Sequence, residues 1–305
     1  MTFTVNPDYK PERYLAAYEG TSGETPLPEE YAFVYAGPQL RLETEGRAYF
    51  CPPPRLTPSE RLALQWLNAH IPPGAVVVEC GCGTGRFLRA LKNSRIHAAG
   101  VELSAVTVQL LNRAGLQAIQ GSAPDFPWES PEPFAIAFFE VLEHIPEPRS
   151  VIEPLKKRFP KSVIVASVPS PKRWPPADGG PADSPPHHYL SWTPAALERF
   201  FTGIGFTKVS VQMPEPIGYE QMPSCGAFLS RFNRFQLRRS PESAGGGPPP
   251  KSPRPLPATP SVAMTCKIWL LAGYHLAINL MGRPSARRAA RQGFSASSML
   301  VVAEP

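Results

Sequence analysis

Apolar positions along the chain fall into two alternating patterns. Thr57-Pro58-Ser59-Glu60 is a capping-box signature, and the Leu62, Leu64, Leu67 and Ile71 that follow recur at helical spacing. After the turn Ile71–Gly74, the run AVVVEC is a short β-branched stretch that reads as a fully buried strand. A Gly-rich turn and a helix at Arg86–Leu91 come next, then strand IHAAGVEL, helix AVTVQLLNRAG and strand QAIQG. PFAIAFF predicts a fourth strand, VIEPLKKRF a helix, SVIVASV a fifth strand, PAALERFFTGIGF a helix and TKVSVQM a sixth strand. Strands alternating with helices imply βαβ units and a parallel sheet covered on both faces. The expected fold class is therefore α/β, a doubly wound Rossmann-like sheet whose ligands bind at the carboxyl ends of the strands.

Outside that alternation the pattern changes. Residues 1–56 carry many prolines and aromatics with little periodicity, and are expected to form an N-terminal cap segment. Residues 241–260 contain eight prolines and read as a linker. Residues 261–281 regain helical character. Their uninterrupted span from Ile268 to Met281 falls short of the roughly 20 apolar residues a membrane span needs. At helical spacing Lys267, His275 and Asn279 share one stripe, which leaves a broad apolar face to be buried on the core, on a partner or on a membrane. MLVVAEP closes the chain as one more strand.

Composition refines this division. The 40 prolines in 305 residues far exceed ordinary usage of about 5%, so a sizeable part of the chain is loop or linker. The net charge of +6 is uneven, because residues 214–305 hold eleven basic against four acidic side chains. Attraction to anionic partners would begin there. Five scattered cysteines without a CxxC argue against a disulfide framework or zinc finger and fit a reducing compartment. The N-terminal residues lack a basic-then-apolar signal pattern, and the expected location is cytoplasmic.

The segment VVVECGCGTGRFL joins a buried strand to a helix through Gly81, Gly83 and Gly85. Glycines are needed where a chain turns tightly and a ligand touches backbone. At the end of the next strand sits Glu102, an acid placed to accept hydrogen bonds from ribose hydroxyls. Dinucleotide sites favour GxGxxG, in which a helix N-terminus receives a pyrophosphate. Here the glycines run GxGxG with Glu79 just before them, and a carboxylate there repels a pyrophosphate but suits an ammonium group. That points to S-adenosylmethionine (SAM).

With these residues in view, the chain resembles the class I SAM-dependent methyltransferases, including the type 11/23 kind and the ubiquinone-pathway O-methyltransferases. ECGCGTGRF matches their first motif, VEL at 101–103 the ribose-binding strand end, QGSAPDFPW the adenine loop and FFEVLEHIPEP the motif after strand four. The resemblance covers about residues 57–213 plus the last ten. It implies that Glu79, Gly81, Gly83 and Gly85 face the methionine part of SAM, Glu102 and Leu103 the ribose end, and Ser122 and Ala123 the adenine, with Glu140 also on the cofactor side. Ser122 stands where the family often has Asp, and Asp125 is a substitute. The resemblance also implies a seven-stranded sheet whose last strand is antiparallel. The expected division is a SAM-binding core over 57–213, a basic Pro-rich insertion over 214–292 between strands six and seven, and a final core strand over 293–305.

Glu140, Glu143 and His144 stand within five positions, and Glu143 and His144 would share a face if a helix or helical turn began near Glu140. His187 and His188 lie in the loop after strand five, at the same sheet edge. ExxEH with a distant His is similar to ubiquinone-pathway O-methyltransferases and to small-RNA 2′-O-methyltransferases, in which such residues hold a metal; His188–Thr193 has the HxxxWT spacing of the latter. Three readings stay open, one of them a purely structural role for these residues. In another, Glu140, Glu143, His144 and His188 hold a divalent metal. In the third, the site is metal-free and His144 or His188, with Glu143, serves as base or acceptor contact.

The expected activity is O-methylation of a hydroxyl on a small-molecule, lipid-linked or glycan acceptor. Alternatives are RNA 2′-O-methylation, an NAD-dependent oxidoreductase and a non-catalytic membrane or scaffold adaptor. RNA is the less favoured partner, because the basic tail interleaves few aromatics with its arginines. Peripheral membrane contact through 262–281 is a further expectation.

Overall fold

A computed structural model describes residues 56–83, 85–103, 105–173, 188–218 and 280–305. The expected cap over 1–56, all but Leu56, and the linker over 241–260 lie outside these residues. So do His187 and nearly all of the apolar stretch 262–281.

The first helix among the described residues, α1 (Pro58–His70), starts at the predicted capping box. Thr57 Oγ1 accepts from the Glu60 amide at 3.1 Å, and Glu60 Oε2 accepts from the Thr57 amide at 2.7 Å. There follow β1 (Val76–Cys80), α2 (Arg86–Asn93), β2 (His97–Glu102), α3 (Ala105–Arg113), β3 (Ala118–Gln120) and β4 (Ala135–Phe139). A single 3₁₀ turn at Leu142–His144 precedes α4 (Arg149–Arg158), β5 (Val163–Pro169), α5 (Pro194–Ile204) and β6 (Lys208–Gln212). A helix α6 over 280–291 leads into β7 (Ser298–Glu304).

The seven strands form one sheet in the order β3-β2-β1-β4-β5-β7-β6. β1 to β5 are mutually parallel, and β7 runs antiparallel to both β5 and β6. This is the expected α/β sheet with its reversed last strand. Its inner strands are apolar at nearly every position because both faces are covered. Side chains of one parity, including Val78, Ile136, Phe138, Ala166 and Val301, pack with Leu155 of α4 and Phe201 of α5. Those of the other parity, including Val77, Ala137, Phe139, Val165 and Val302, pack with Leu67 of α1 and Phe87 and Leu91 of α2. At the edge, β6 is covered less completely and alternates between exposed and half-buried positions.

Helix α6 carries helical structure past the stretch 261–281 expected to be helical, into residues for which no element was expected. Gly282 and Pro284 read as breakers, yet Ala286, Ala289 and Ala290 with the intervening arginines are strong helix formers. Gly282, Ala286 and Ala289 are buried at i, i+4 and i+7, so small side chains seat the helix on the molecule. Among the described residues no helix is long and apolar enough to cross a membrane.

Candidate functional site

The turn after β1 is built from three left-handed glycines, Gly81 (φ +72°), Gly83 (+49°) and Gly85 (+69°). Gly81 and Gly85 are also locked by packing. A Cβ on Gly81 would lie 2.8 Å from Val141 Cγ2, and one on Gly85 would lie 2.6 Å from Leu111 Cδ2. At Gly83 a Cβ would meet nothing within 4 Å, so this residue faces open space. The Gly83 amide donates to Glu102 Oε2 at 2.9 Å, which links the turn to the end of β2.

Glu79 is 4% exposed, and its Oε2 is buried without a hydrogen-bond partner. Burial, reinforced by the nearby Glu60 carboxylate, holds its pKa well above the usual carboxylate range, against the opposing pull of Arg86. Arg86 itself is engaged by Glu60, with Nη2 2.7 Å from Oε1. A cationic partner at this carboxyl would favour its ionised form and offset the cost of burying it. Beneath the turn, burial likewise pushes up the Cys80 and Cys82 thiols, both free. Cys82 fills the space beside Gly100, where a Cβ would clash with its Sγ.

Leu103 is half-buried at the end of β2, and its carbonyl accepts from Gln120 Nε2 at 3.4 Å. The segment after β3 starts where the Gly121 amide donates to the Glu102 carbonyl. Ser122 and Asp125 are exposed and form one tight turn, the Asp125 amide donating to the Ser122 carbonyl at 2.8 Å. Ala123 is half-buried against the core. The glycine turn, Glu102, Leu103 and Ser122–Ala123 thus line neighbouring strand ends.

After β4 the structure has the shorter of the two expected forms, a helical turn. Glu140 does not open a helix. It adopts φ +55°, a left-handed conformation rare for a side chain of this kind, and only the 3₁₀ turn at Leu142–His144 follows. Its carboxylate turns toward β5, where Ser167 Oγ donates to Oε1 at 2.6 Å, and burial pushes its pKa up to about 7. Glu140 accordingly does not join the cluster of Glu143, His144 and His188.

Those three do come together, with one candidate ligand atom from each lying within 4.8 Å of the others. Glu143 is fully buried, neither carboxylate oxygen has a hydrogen-bond partner, and burial with the Glu140 charge raises its pKa well above the ordinary value. His144 Nε2 stands 3.9 Å from Glu143 Oε1, and the two imidazoles meet edge-on with centroids 4.8 Å apart. The loop after β5 is brought here by main chain. The Glu143 carbonyl accepts from the amides of Tyr189 (2.8 Å) and Leu190 (3.2 Å).

Sequence reasoning missed Ser167, Val141 and the Arg86–Glu60 pair. Ser167 alternates with apolar neighbours in β5 and could have been singled out as a polar residue near a strand's carboxyl end. Val141 gave no signal, since its role is steric.

Residues 55–211 match the model of the methyltransferase domain family. The chain belongs to that family of SAM-dependent methyltransferases. It is similar to the ubiquinone biosynthesis O-methyltransferase of Xylella fastidiosa strain 9a5c, 31% identical over 99 residues, 30% of this chain and 40% of that protein. The namesake from Stutzerimonas stutzeri strain A1501 is 33% identical over 100 residues, 30% of this chain and 43% of that one. The matches thus span about two fifths of the length of these curated relatives. Among solved structures, a SAM-dependent methyltransferase from Archaeoglobus fulgidus aligns with a TM-score of 0.44 at 16% identity, covering 81% of this chain and 94% of that one. Family membership sets aside the oxidoreductase alternative.

Proposed function

We propose that the protein methylates a hydroxyl of a small-molecule, lipid-linked or glycan acceptor, with SAM as methyl donor. SAM fits the chain's own chemistry: Glu79 offers a buried, unpartnered carboxylate oxygen to an ammonium group, Gly83 leaves open space over the turn, and Glu102 offers a ribose a carboxylate. When bound, SAM supplies an electrophilic methyl on a sulfonium. The chain's tasks are then to hold the acceptor in line and to remove its proton.

The observation that carries the hydroxyl reading is the buried cluster in the turn after β4. His144 and His188 are half-buried bases, and Glu143 beside His144 stabilises an imidazolium that has taken a proton. A carbon or amine acceptor would make less use of such a base.

The same cluster supports a second reading, in which Glu143, His144 and His188 hold a divalent ion that grips acceptor hydroxyls. One carboxylate and two imidazoles are a donor set suited to Mn²⁺, Fe²⁺, Co²⁺ or Zn²⁺.

Calorimetry with SAM and with NAD tests the cofactor, and tight NAD binding without SAM binding would refute the proposal. Methyl transfer from labelled SAM to hydroxylated aromatics, lipid extracts and glycans, with and without a chelator, tests the acceptor and separates the two readings. Activity unaffected by chelation and lost in His144→Ala is expected for the base.

A further inference from the structure

The two faces of α6 differ in kind. Gly282, Ala286 and Ala289 are buried, whereas Arg283, Arg287, Arg288 and Arg291 are all exposed. No acidic residue occurs between 280 and 293, and none of these arginines makes an ion pair with an acid among the described residues. Among the first described residues of α6, Leu280 is 46% and Met281 64% exposed. With Met213, they are the large apolar side chains left exposed among the described residues. Leu280, Pro284 and the four arginines border one open groove of about 650 Å³. A second, smaller cleft adds Arg61 and a single carboxylate, Glu215.

The chain leaving α6 returns to the sheet next to β5. The Ser295 amide donates to the Lys172 carbonyl at 2.8 Å, and the Ser170 amide to the Ser297 carbonyl at 2.9 Å. The chain just beyond α6 is thereby fastened to the loop leaving β5, the strand whose Ser167 holds Glu140.

We propose that the outer face of α6 docks on an anionic phospholipid bilayer, with Arg283, Arg287, Arg288 and Arg291 meeting the phosphates and Leu280 and Met281 entering the headgroup boundary. Three features select this occupant. The arginines spread over about 12 Å of helix, eight residues at 1.5 Å each, and all are exposed. A site for one small phosphate would instead gather partly buried donors around a point, so this array suits many phosphates in a plane. Apolar and cationic side chains share the outward side, as in helices that lie in a membrane interface. Single-stranded RNA would call for aromatic side chains on which bases stack, and residues 280–293 expose none. Each arginine near an anionic leaflet contributes about fivefold in partitioning. Docking does not depend on the methyl-transfer reading, but it would bring the protein to the lipid surface, where a lipid-linked acceptor resides.

The test is co-sedimentation of the full chain with vesicles of phosphatidylcholine alone and of phosphatidylcholine mixed with phosphatidylglycerol. Binding is expected to the mixed vesicles only, weakening steeply between about 0.05 M and about 0.5 M salt. The triple variant Arg287→Glu/Arg288→Glu/Arg291→Glu should lose at least about 100-fold in partitioning. Leu280→Ser/Met281→Ser should lose less and leave binding more salt-sensitive. Thermal melting checks that each variant folds; if charge reversal unfolds the chain, the Arg→Gln triple takes its place with the same expectation. Equal binding to both vesicles, wild-type binding by the folded triple variant, or displacement from vesicles by single-stranded RNA or inorganic pyrophosphate would overturn the proposal.

Discussion

The main-chain carbonyl of Glu143 accepts the amide hydrogen of Tyr189 at 2.8 Å, so the turn after β4 and the loop after β5 are fastened at the residue that follows His188. His188 reaches His144 through this main-chain bond. Replacing Tyr189 by Pro removes the donor. Methyl transfer by Tyr189→Pro is expected to fall by about 100-fold, the effect of a small misplacement of a catalytic group, with SAM affinity unchanged. Tyr189→Phe keeps the amide and should retain activity within a few fold. Steady-state kinetics alongside SAM calorimetry checks both.

Glu79 pits stability against binding. Its buried carboxyl lacks a partner on Oε2, so Glu79→Gln should leave the apo protein as stable or raise its melting temperature. SAM affinity should drop by roughly 10- to 100-fold, corresponding to a lost hydrogen bond to a charged group at about 1.5–3 kcal/mol. Calorimetry and thermal melting on one preparation read both quantities.

The three turn glycines should respond differently to a methyl group. Gly81→Ala and Gly85→Ala add contacts of 2.8 Å and 2.6 Å to an already left-handed backbone. Each is expected to destabilise by about 2–3 kcal/mol. Gly83→Ala carries the backbone cost of about 1 kcal/mol alone, but it fills the space left for a ligand, so its larger effect should appear in SAM affinity. Denaturant unfolding of the three variants separates these cases.

Glu140 makes stability depend on pH. Its pKa is raised to about 7 from an ordinary value of 4.5, so the folded state holds a proton that the unfolded chain releases. This contribution is complete below the unfolded value and is lost as pH rises through about 7. Glu140→Gln keeps an acceptor for Ser167 and should flatten that decline, leaving the variant more stable than wild type by about 3 kcal/mol at pH 8 and similar at pH 4.5. Urea unfolding across this range measures the difference.

Most of the sheet was readable because the signals are local. β-branched runs such as Val76–Val78, the capping box at Thr57–Glu60 and the glycine turn at Gly81–Gly85 each act over a few residues, and the structure places them as expected. Spacing anticipated that Glu143 and His144 lie together, whereas the reversed last strand was anticipated only through the family resemblance. That Glu140 stands apart from His144 and His188 was not legible, because its position follows from a left-handed backbone and from Ser167, 27 residues away. Helix α6 was missed because burial of Gly282, Ala286 and Ala289 outweighs the breaker tendency of Gly282 and Pro284.

The hairpin of β6 and β7 has a closed neck: the Ala296 amide donates to the Pro214 carbonyl at 2.8 Å, just past the last paired residues of the two strands. Whatever lies between these two residues is attached to the sheet through this clasp. The entropy of closing a longer or shorter excursion changes only slowly with its length. The span between the two residues can therefore change in length at little entropic cost, whereas Gly282, Ala286, Ala289 and Ser295, where it is seated on the molecule and bonded to Lys172, are points at which a change of sequence is felt by the sheet.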